Sequence, residues 1–183
     1  MDNFNFIATG FEGLWVIEPK VYGDDRGFFM EVYNKEEFMK NGVNVEFIQD
    51  NHSKSQKGVM RALHFQKKYP QGKLIRVAQG KVYDVVVDLR KDSATYGQWH
   101  GVELSAENRK MIYLPVGFAH GFVALEDNTE FLYKCTEVYH PEDEGGIIWN
   151  DPDLNIKWPI DFEPILSEKD AKHPQFKDLD FHY

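Results

Sequence analysis

Apolar residues in this chain gather in short runs that alternate with polar positions, with little sign of a helical three-to-four repeat. Val, Ile, Leu, Tyr, Phe and Trp dominate the spans Leu14–Glu18, Phe28–Tyr33, Val59–Phe65, Leu74–Ala78, Val82–Leu89, Trp99–Leu104, Met111–Leu114, Gly121–Leu125 and Glu130–Val138, which predict strands. Glycines such as Gly58, Gly72, Gly80, Gly97 and Gly117 separate them. Strands recurring at roughly 8–12 residues point to a sandwich or barrel, not to alternating βα units. One short helix is predicted over Asn34–Gly42, from an Asn cap, a Glu three residues later and a closing Gly. Beyond His140, Pro141, Pro152, Pro159 and Pro164 exclude long helices and central strands, so this tail is expected to wrap the strands as ordered loops, with short helical turns near Ser167–Lys172.

The 183 residues contain no repeat, linker or charge block that marks a boundary, so residues 1–183 are read as one domain. A hydrophobic share of 42% is enough for a packed core, which sets disorder aside. With 21 Lys+Arg against 30 Asp+Glu, the net charge of −9 argues against a protein that coats nucleic acid. An anionic partner therefore requires a local cationic pocket. The lone cysteine, Cys135, cannot form an internal disulfide and reads as a buried strand thiol. The segment Met1–Phe6 lacks the basic start and apolar stretch of a secretory signal, and no apolar run approaches the roughly 18 residues that span a bilayer. A cytoplasmic location is the resulting expectation, with no membrane partner.

Candidate chemistry lies in two stretches. In Arg61-Ala62-Leu63-His64-Phe65-Gln66, strand alternation puts Arg61 and Leu63 on one face and Ala62 and His64 on the other. Pro115-Val116-Gly117-Phe118-Ala119-His120 is a tight turn delivering a histidine at the start of a strand. The two together resemble the paired motifs of the cupins, small jelly-roll barrels. Metal-binding cupins carry His-x-His in the first motif and a Glu seven residues before a Gly. Here Ala62 replaces one histidine and Lys73 stands seven residues before Gly80. A lysine brings positive charge in place of a lone pair, and His64 and His120 alone fall short of three protein ligands. A metal-free cupin is expected, its histidines free for acid–base work.

The longer run of motifs narrows the resemblance. Asp25-Arg26-Gly27-Phe28-Phe29-Met30-Glu31, Gln49-Asp50-Asn51-His52-Ser53, Arg61 to Gln66, Gln71 to Val77, Asp84 to Arg90, Gly117 to Phe122, Tyr133-Lys134, Ile148 to Pro152 and Leu166-Ser167-Glu168-Lys169-Asp170 resemble, in order and spacing, the dTDP-4-dehydrorhamnose 3,5-epimerases. The likeness runs from about Gly13 to Asp170. Ala62 stands where the family usually has Gly, which would narrow the pocket wall, and the tail beyond Asp170 follows no shared pattern. The resemblance implies an all-β, cupin-like jelly-roll barrel with a few short peripheral helices. It implies epimerisation at C3 and C5 of dTDP-4-dehydro-6-deoxy-D-glucose, without metal or organic cofactor, in a homodimer. By the same resemblance His64 is the base, Asp170 its carboxylate partner, Tyr133 the proton donor, and Lys73 the cation at the C4 oxygen. Arg26, Arg61 and Lys169 fall to the diphosphate or sugar, and Glu31, Gln49, Asn51 and Glu144 to hydrogen bonds with the base, the hydroxyls or neighbouring cations. His120 is assigned to the substrate as well, and Tyr22, Phe28, Phe29 and Tyr139 to apolar walls.

Plainer readings stand beside these. Ser167-x-x-Asp170 also matches a helix start, His64 a hydrogen-bonded core histidine, His120 a turn brace, Tyr133 a packed core aromatic and Arg26 a solvated turn next to Asp24 and Asp25. Lys73 is harder to absorb structurally, because an inward cation needs a partner or a ligand. His52, His100, His140, His173 and His182 read as surface or structural residues. Rival functions are inversion at C3 or C5 only, a ketoisomerase on a related nucleotide sugar, a non-catalytic sugar-nucleotide binder, and a metal-dependent cupin oxygenase.

Overall fold

A computed structural model describes residues 2–183; Met1, the first residue of the expected N-terminal segment, lies outside them. In chain order the strands are β1 (Phe4–Ala8), β2 (Trp15–Pro19), β3 (Val21–Asp24), β4 (Gly27–Met30), β5 (Gln49–Ser55), β6 (Met60–Gln66), β7 (Lys73–Gln79), β8 (Lys81–Asp88), β9 (Trp99–Ser105), β10 (Met111–Leu114), β11 (Phe118–Ala124), β12 (Thr129–Cys135) and β13 (Glu144–Gly146). They form two antiparallel sheets, ordered β1-β2-β10-β7-β12-β5 and β13-β6-β11-β8-β9, with β3 and β4 as a separate hairpin. The fold is a cupin-like jelly roll.

Strand parity decides what fills it. Ile75 and Val77, Val82 and Val86, Phe118 and Phe122, and Phe131 turn into the barrel and pack with Leu14, Leu104, Ile112 and Leu114. On the outer face of the six-stranded sheet, Phe4, Ile17, Leu74, Met111 and Tyr113 pack around Phe38 of the one α-helix among the described residues, α1 (Lys35–Lys40). Asn34 caps it, its Oδ1 accepting from the backbone N–H of Glu36 and Glu37. The outer face of the five-stranded sheet, with Ala62, Leu63, Phe65, Val85 and Val87, is covered by the proline-rich tail through Trp149, Leu154, Trp158, Leu166, Phe176 and Phe181. The tail therefore wraps the strands as expected, with short 3-10 turns at Pro141–Asp143, Asp170–Lys172 and Phe176–Asp178.

β5 is the strand the pattern hid. Gln49-Asp50-Asn51-His52-Ser53-Lys54-Ser55 has no apolar alternation, and it forms because it pairs along its whole length with β12. β6 departs from its expected alternation. His64 stands opposite His120 and Arg61 opposite Phe122, so β6 uses three residues where β11 uses two. This bulge turns Arg61 and His64 to one side, and Ala62 and Leu63 into the outer layer. Alternation had joined Arg61 to Leu63 and Ala62 to His64. The Ala62 methyl is thus kept off the pocket wall, lying against Gly121, where an added Cβ would approach it to 2.5 Å.

Candidate active site

A cavity of about 490 Å3 opens between the sheets, lined by Arg61 and His64 from β6, Lys73 from β7, His120 and Phe122 from β11, Phe131 and Tyr133 from β12, and Tyr139, Glu144, Leu166, Ser167, Lys169 and Asp170 from the tail. The parity that buries Ile75 and Val77 also points Lys73 inward, and that of Phe131 does the same for Tyr133.

His64 and Asp170 meet across 106 residues of sequence, with 2.6 Å between Nε2 and Oδ1. Burial opposes charge on Asp170, but the imidazoles of His173 and His64 outweigh it and hold the carboxyl well below the usual carboxylate range. An ionised Asp170 accepts from Nε2–H, which leaves Nδ1 of His64 as the basic nitrogen, 4.0 Å from Glu144 Oε1. Ser167 Oγ accepts from the backbone N–H of Asp170 at 3.1 Å, so the helix-start reading and the dyad coexist in one turn.

Lys73 comes from the opposite wall. Its ammonium makes no hydrogen bond or ion pair among the described residues and lies 5.7 Å from the centre of the Tyr133 ring. Burial pushes its pKa down and pushes that of the Tyr133 phenol up. Glu144 ties the mouth together: Lys169 Nζ lies 2.6 Å from its Oε2, and the Tyr139 hydroxyl donates to that oxygen at 2.5 Å. That hydrogen bond is the main reason the Tyr139 phenol is pushed up to about 12.

His120 belongs to a second pair that motif reading missed. Its Nε2 lies 2.8 Å from Oδ2 of Asp84 on the neighbouring β8, and both residues are buried. Burial lowers the His120 pKa against the pull of Asp84. The signal was available, since an acid that shares strand parity with Val82 and Val86 must point into the core and needs a partner there. His173, read as surface or structural, is a partly buried residue whose side chain is largely enclosed, with Nε2 3.4 Å from Asp170 Oδ1.

Other expected residues lie elsewhere in the single chain. Arg26 sits on the β3–β4 turn, its side chain 89% exposed and paired with Asp24 at 2.5 Å. Phe28 and Phe29 are exposed on the same hairpin, while Tyr22 and Glu31 hydrogen-bond to Asn3. Gln49 accepts from the Tyr139 backbone N–H, and Asn51 donates to Cys135 Sγ; both stand on β5 beside β12 and are not among the residues that line the cavity. The expected cationic cluster is therefore reduced to Arg61, Lys73 and Lys169 within this chain's own cavity. Cys135 is a buried free thiol, as expected.

Comparison with known proteins follows the same outline. The dTDP-4-dehydrorhamnose 3,5-epimerase family profile matches residues 8–178. A dTDP-4-dehydrorhamnose 3,5-epimerase of Methanothermobacter thermautotrophicus is 55% identical over 93% of this chain and 93% of its own length. One from Salmonella typhimurium is 54% identical over 92% and 93%. Among solved structures, a dTDP-6-deoxy-D-glucose-3,5-epimerase from Legionella pneumophila in complex with dTDP-4-keto-L-rhamnose superposes with a TM-score of 0.94 at 48% identity, covering 97% of this chain and 95% of that one.

Proposed function

The chain belongs to the dTDP-4-dehydrorhamnose 3,5-epimerase family, and from that premise we propose that His64, Asp170, Tyr133 and Lys73 carry its chemistry in the cavity between the sheets. It is an isomerase that inverts C3 and C5 of dTDP-4-dehydro-6-deoxy-D-glucose to give dTDP-4-dehydro-L-rhamnose, in dTDP-L-rhamnose biosynthesis. Both carbons flank the C4 ketone, so loss of either hydrogen gives an enolate. His64 Nδ1 takes the proton, and Asp170 fixes the tautomer and stabilises the imidazolium. Lys73 supplies positive charge where the C4 oxygen becomes anionic, with no competing carboxylate bound to it. Tyr133 returns a proton to the opposite face.

One observation supports this division of labour above the others. His64 stands on β6 of one sheet and Tyr133 on β12 of the other, and both line the same cavity. Inversion requires removal from one face and return from the other, so donor and acceptor on opposing walls suit it. Each inversion leaves His64 with a proton and Tyr133 without one, and exchange with solvent resets both before the second centre is inverted. In D2O the product should therefore carry deuterium at C3 and C5, read by NMR. His64→Asn retaining wild-type exchange would sink the base assignment. For Tyr133→Phe, exchange should continue while inverted product falls; unchanged product formation would remove Tyr133 as the acid.

Arg61, Lys169 and His120 bind the substrate in this reading, with Glu144 orienting Lys169. Residues 1–183 act as one unit, the steps use neither metal nor organic cofactor, and the enzyme works in the cytoplasm; no described helix is long and apolar enough to cross a membrane. The working form is a homodimer, in which the exposed hairpin bearing Arg26, Phe28 and Phe29 meets the partner subunit and brings Arg26, Glu31 and the residues around them to its cavity. A monomer by light scattering with full activity would overturn this, as would an unchanged KM in Arg26→Ala.

A further inference from the structure

The epimerisation accounts for one imidazole beside Asp170, yet two converge there. His173 takes part in neither proton transfer, but its side chain is 91% buried and its Nε2 lies 3.4 Å from the same Oδ1 that His64 engages at 2.6 Å. That contact falls short of hydrogen-bond geometry, and the nitrogen has no other partner among the described residues. A buried polar atom without a well-formed hydrogen bond is costly, so its retention calls for a compensating role. The backbone is shaped around the ring as well, since a Cβ on Gly146 would lie 2.3 Å from its Cε1.

We propose that His64, Asp170 and His173 form a binding site for a divalent transition-metal ion of the Zn2+ class, and that its occupation switches the epimerase off. The three donor atoms lie within 4.8 Å of one another. Two imidazole nitrogens and a carboxylate oxygen match Zn2+, Co2+ and Ni2+, whereas Mg2+ and Ca2+ favour all-oxygen sites. Ligand atoms on a tetrahedral zinc ion sit about 3.3 Å apart, from bonds of about 2.0–2.1 Å. The His173–Asp170 separation of 3.4 Å already fits, and the 2.6 Å pair has only to open slightly. His64 and Asp170 also line the cavity, which leaves an open side for water as a fourth ligand. A metal on His64 removes it from acid–base work. The site stands on this geometry, while the inhibition rests on His64 being the base.

The test uses metal-stripped, tag-free, full-length enzyme titrated with ZnCl2 by calorimetry and with CoCl2 by visible absorption. One ion per chain is expected, with a Co2+ band of low-coordinate type, and with affinity at least tenfold weaker in both His173→Gln and His64→Asn. Measured against its own metal-free turnover, His173→Gln loses the inhibition by Zn2+, which EDTA reverses in the wild type. The more severe His173→Ala, checked for folding by circular dichroism, serves as the second variant. Wild-type Zn2+ affinity in His173→Gln and His173→Ala overturns the site. One-to-one binding that depends on His173 but leaves turnover untouched upholds metal binding, overturns the switch, and counts against His64 as the base.

Discussion

Two His–Asp pairs share this cavity and differ in almost every other respect. His120 and Asp84 face each other from adjacent strands β11 and β8, both buried, so ordinary sheet pairing delivers them. His64 reaches Asp170 only because the proline-rich tail folds back over the sheet, and its side chain keeps 28% of its surface open. A buried imidazole whose pKa is lowered by burial suits orientation and hydrogen bonding. A half-open one backed by an ionised carboxylate suits proton transfer. The same two residue types thus acquire different roles from access and from the element that supplies the acid.

The comparison breaks most sharply at the histidines. His64→Asn should lower kcat by about 10²–10⁴-fold, the range of general-base catalysis. His120→Asn should cost about tenfold, the scale of one buried hydrogen bond. Equal losses in steady-state kinetics would erase the distinction. Lys73→Met comes next, at about 10²–10³-fold in kcat, as for loss of an oxyanion-stabilising group. Because burial lowers the Lys73 pKa, kcat/KM should fall as pH rises through a value below the ordinary lysine 10.5. Lys73→Arg keeps its charge and should carry that alkaline limb upward, towards the raised pKa of Tyr133. Asp84→Asn, which leaves His120 without its anionic partner, should reduce kcat about fivefold to tenfold and leave solvent exchange at C3 and C5 detectable.

The smallest effect concerns a carboxylate outside the cavity. Burial raises the Asp88 pKa, but hydrogen bonds from Arg90, Thr95 and Ser93 prevail and bring it down to about 2. A depressed folded-state value means that stability is present above the unfolded pKa near 3.8 and is lost as pH falls through 2. The contribution is at most about 2 kcal/mol, reduced by screening at the partly exposed Arg90. Urea melts between pH 5 and pH 2 should show a shallower acid loss in Asp88→Asn than in the wild type. Parallel curves would remove Asp88 from the acid response.

Much of this was legible in advance, for reasons that lie in strand parity. Once Ile75 and Val77 are core, Lys73 must face inward, and Phe118 and Phe122 fix His120 in the same way. Parity also pointed to Asp84 through Val82 and Val86, although motif reading, which included Asp84 to Arg90, gave it no role or partner. Parity failed at Arg61 and His64, where a bulge opposite His120 and Phe122 resets the alternation. It was silent on β5, whose polar residues carry no period and become a strand only by pairing with β12.

The sequence by itself determined the jelly roll, the inward direction of Lys73, His120 and Tyr133, and the family, because local alternation and motif order are properties of neighbouring residues. Tertiary structure alone decided that the chain after His140 returns to close the cavity, that Ser167 caps the turn presenting Asp170, and that His173 arrives beside it. It also left Arg26 outside this chain's own site. Contacts across more than a hundred residues have no period to read. They follow from which surface the tail buries, and that surface exists only once both sheets have formed.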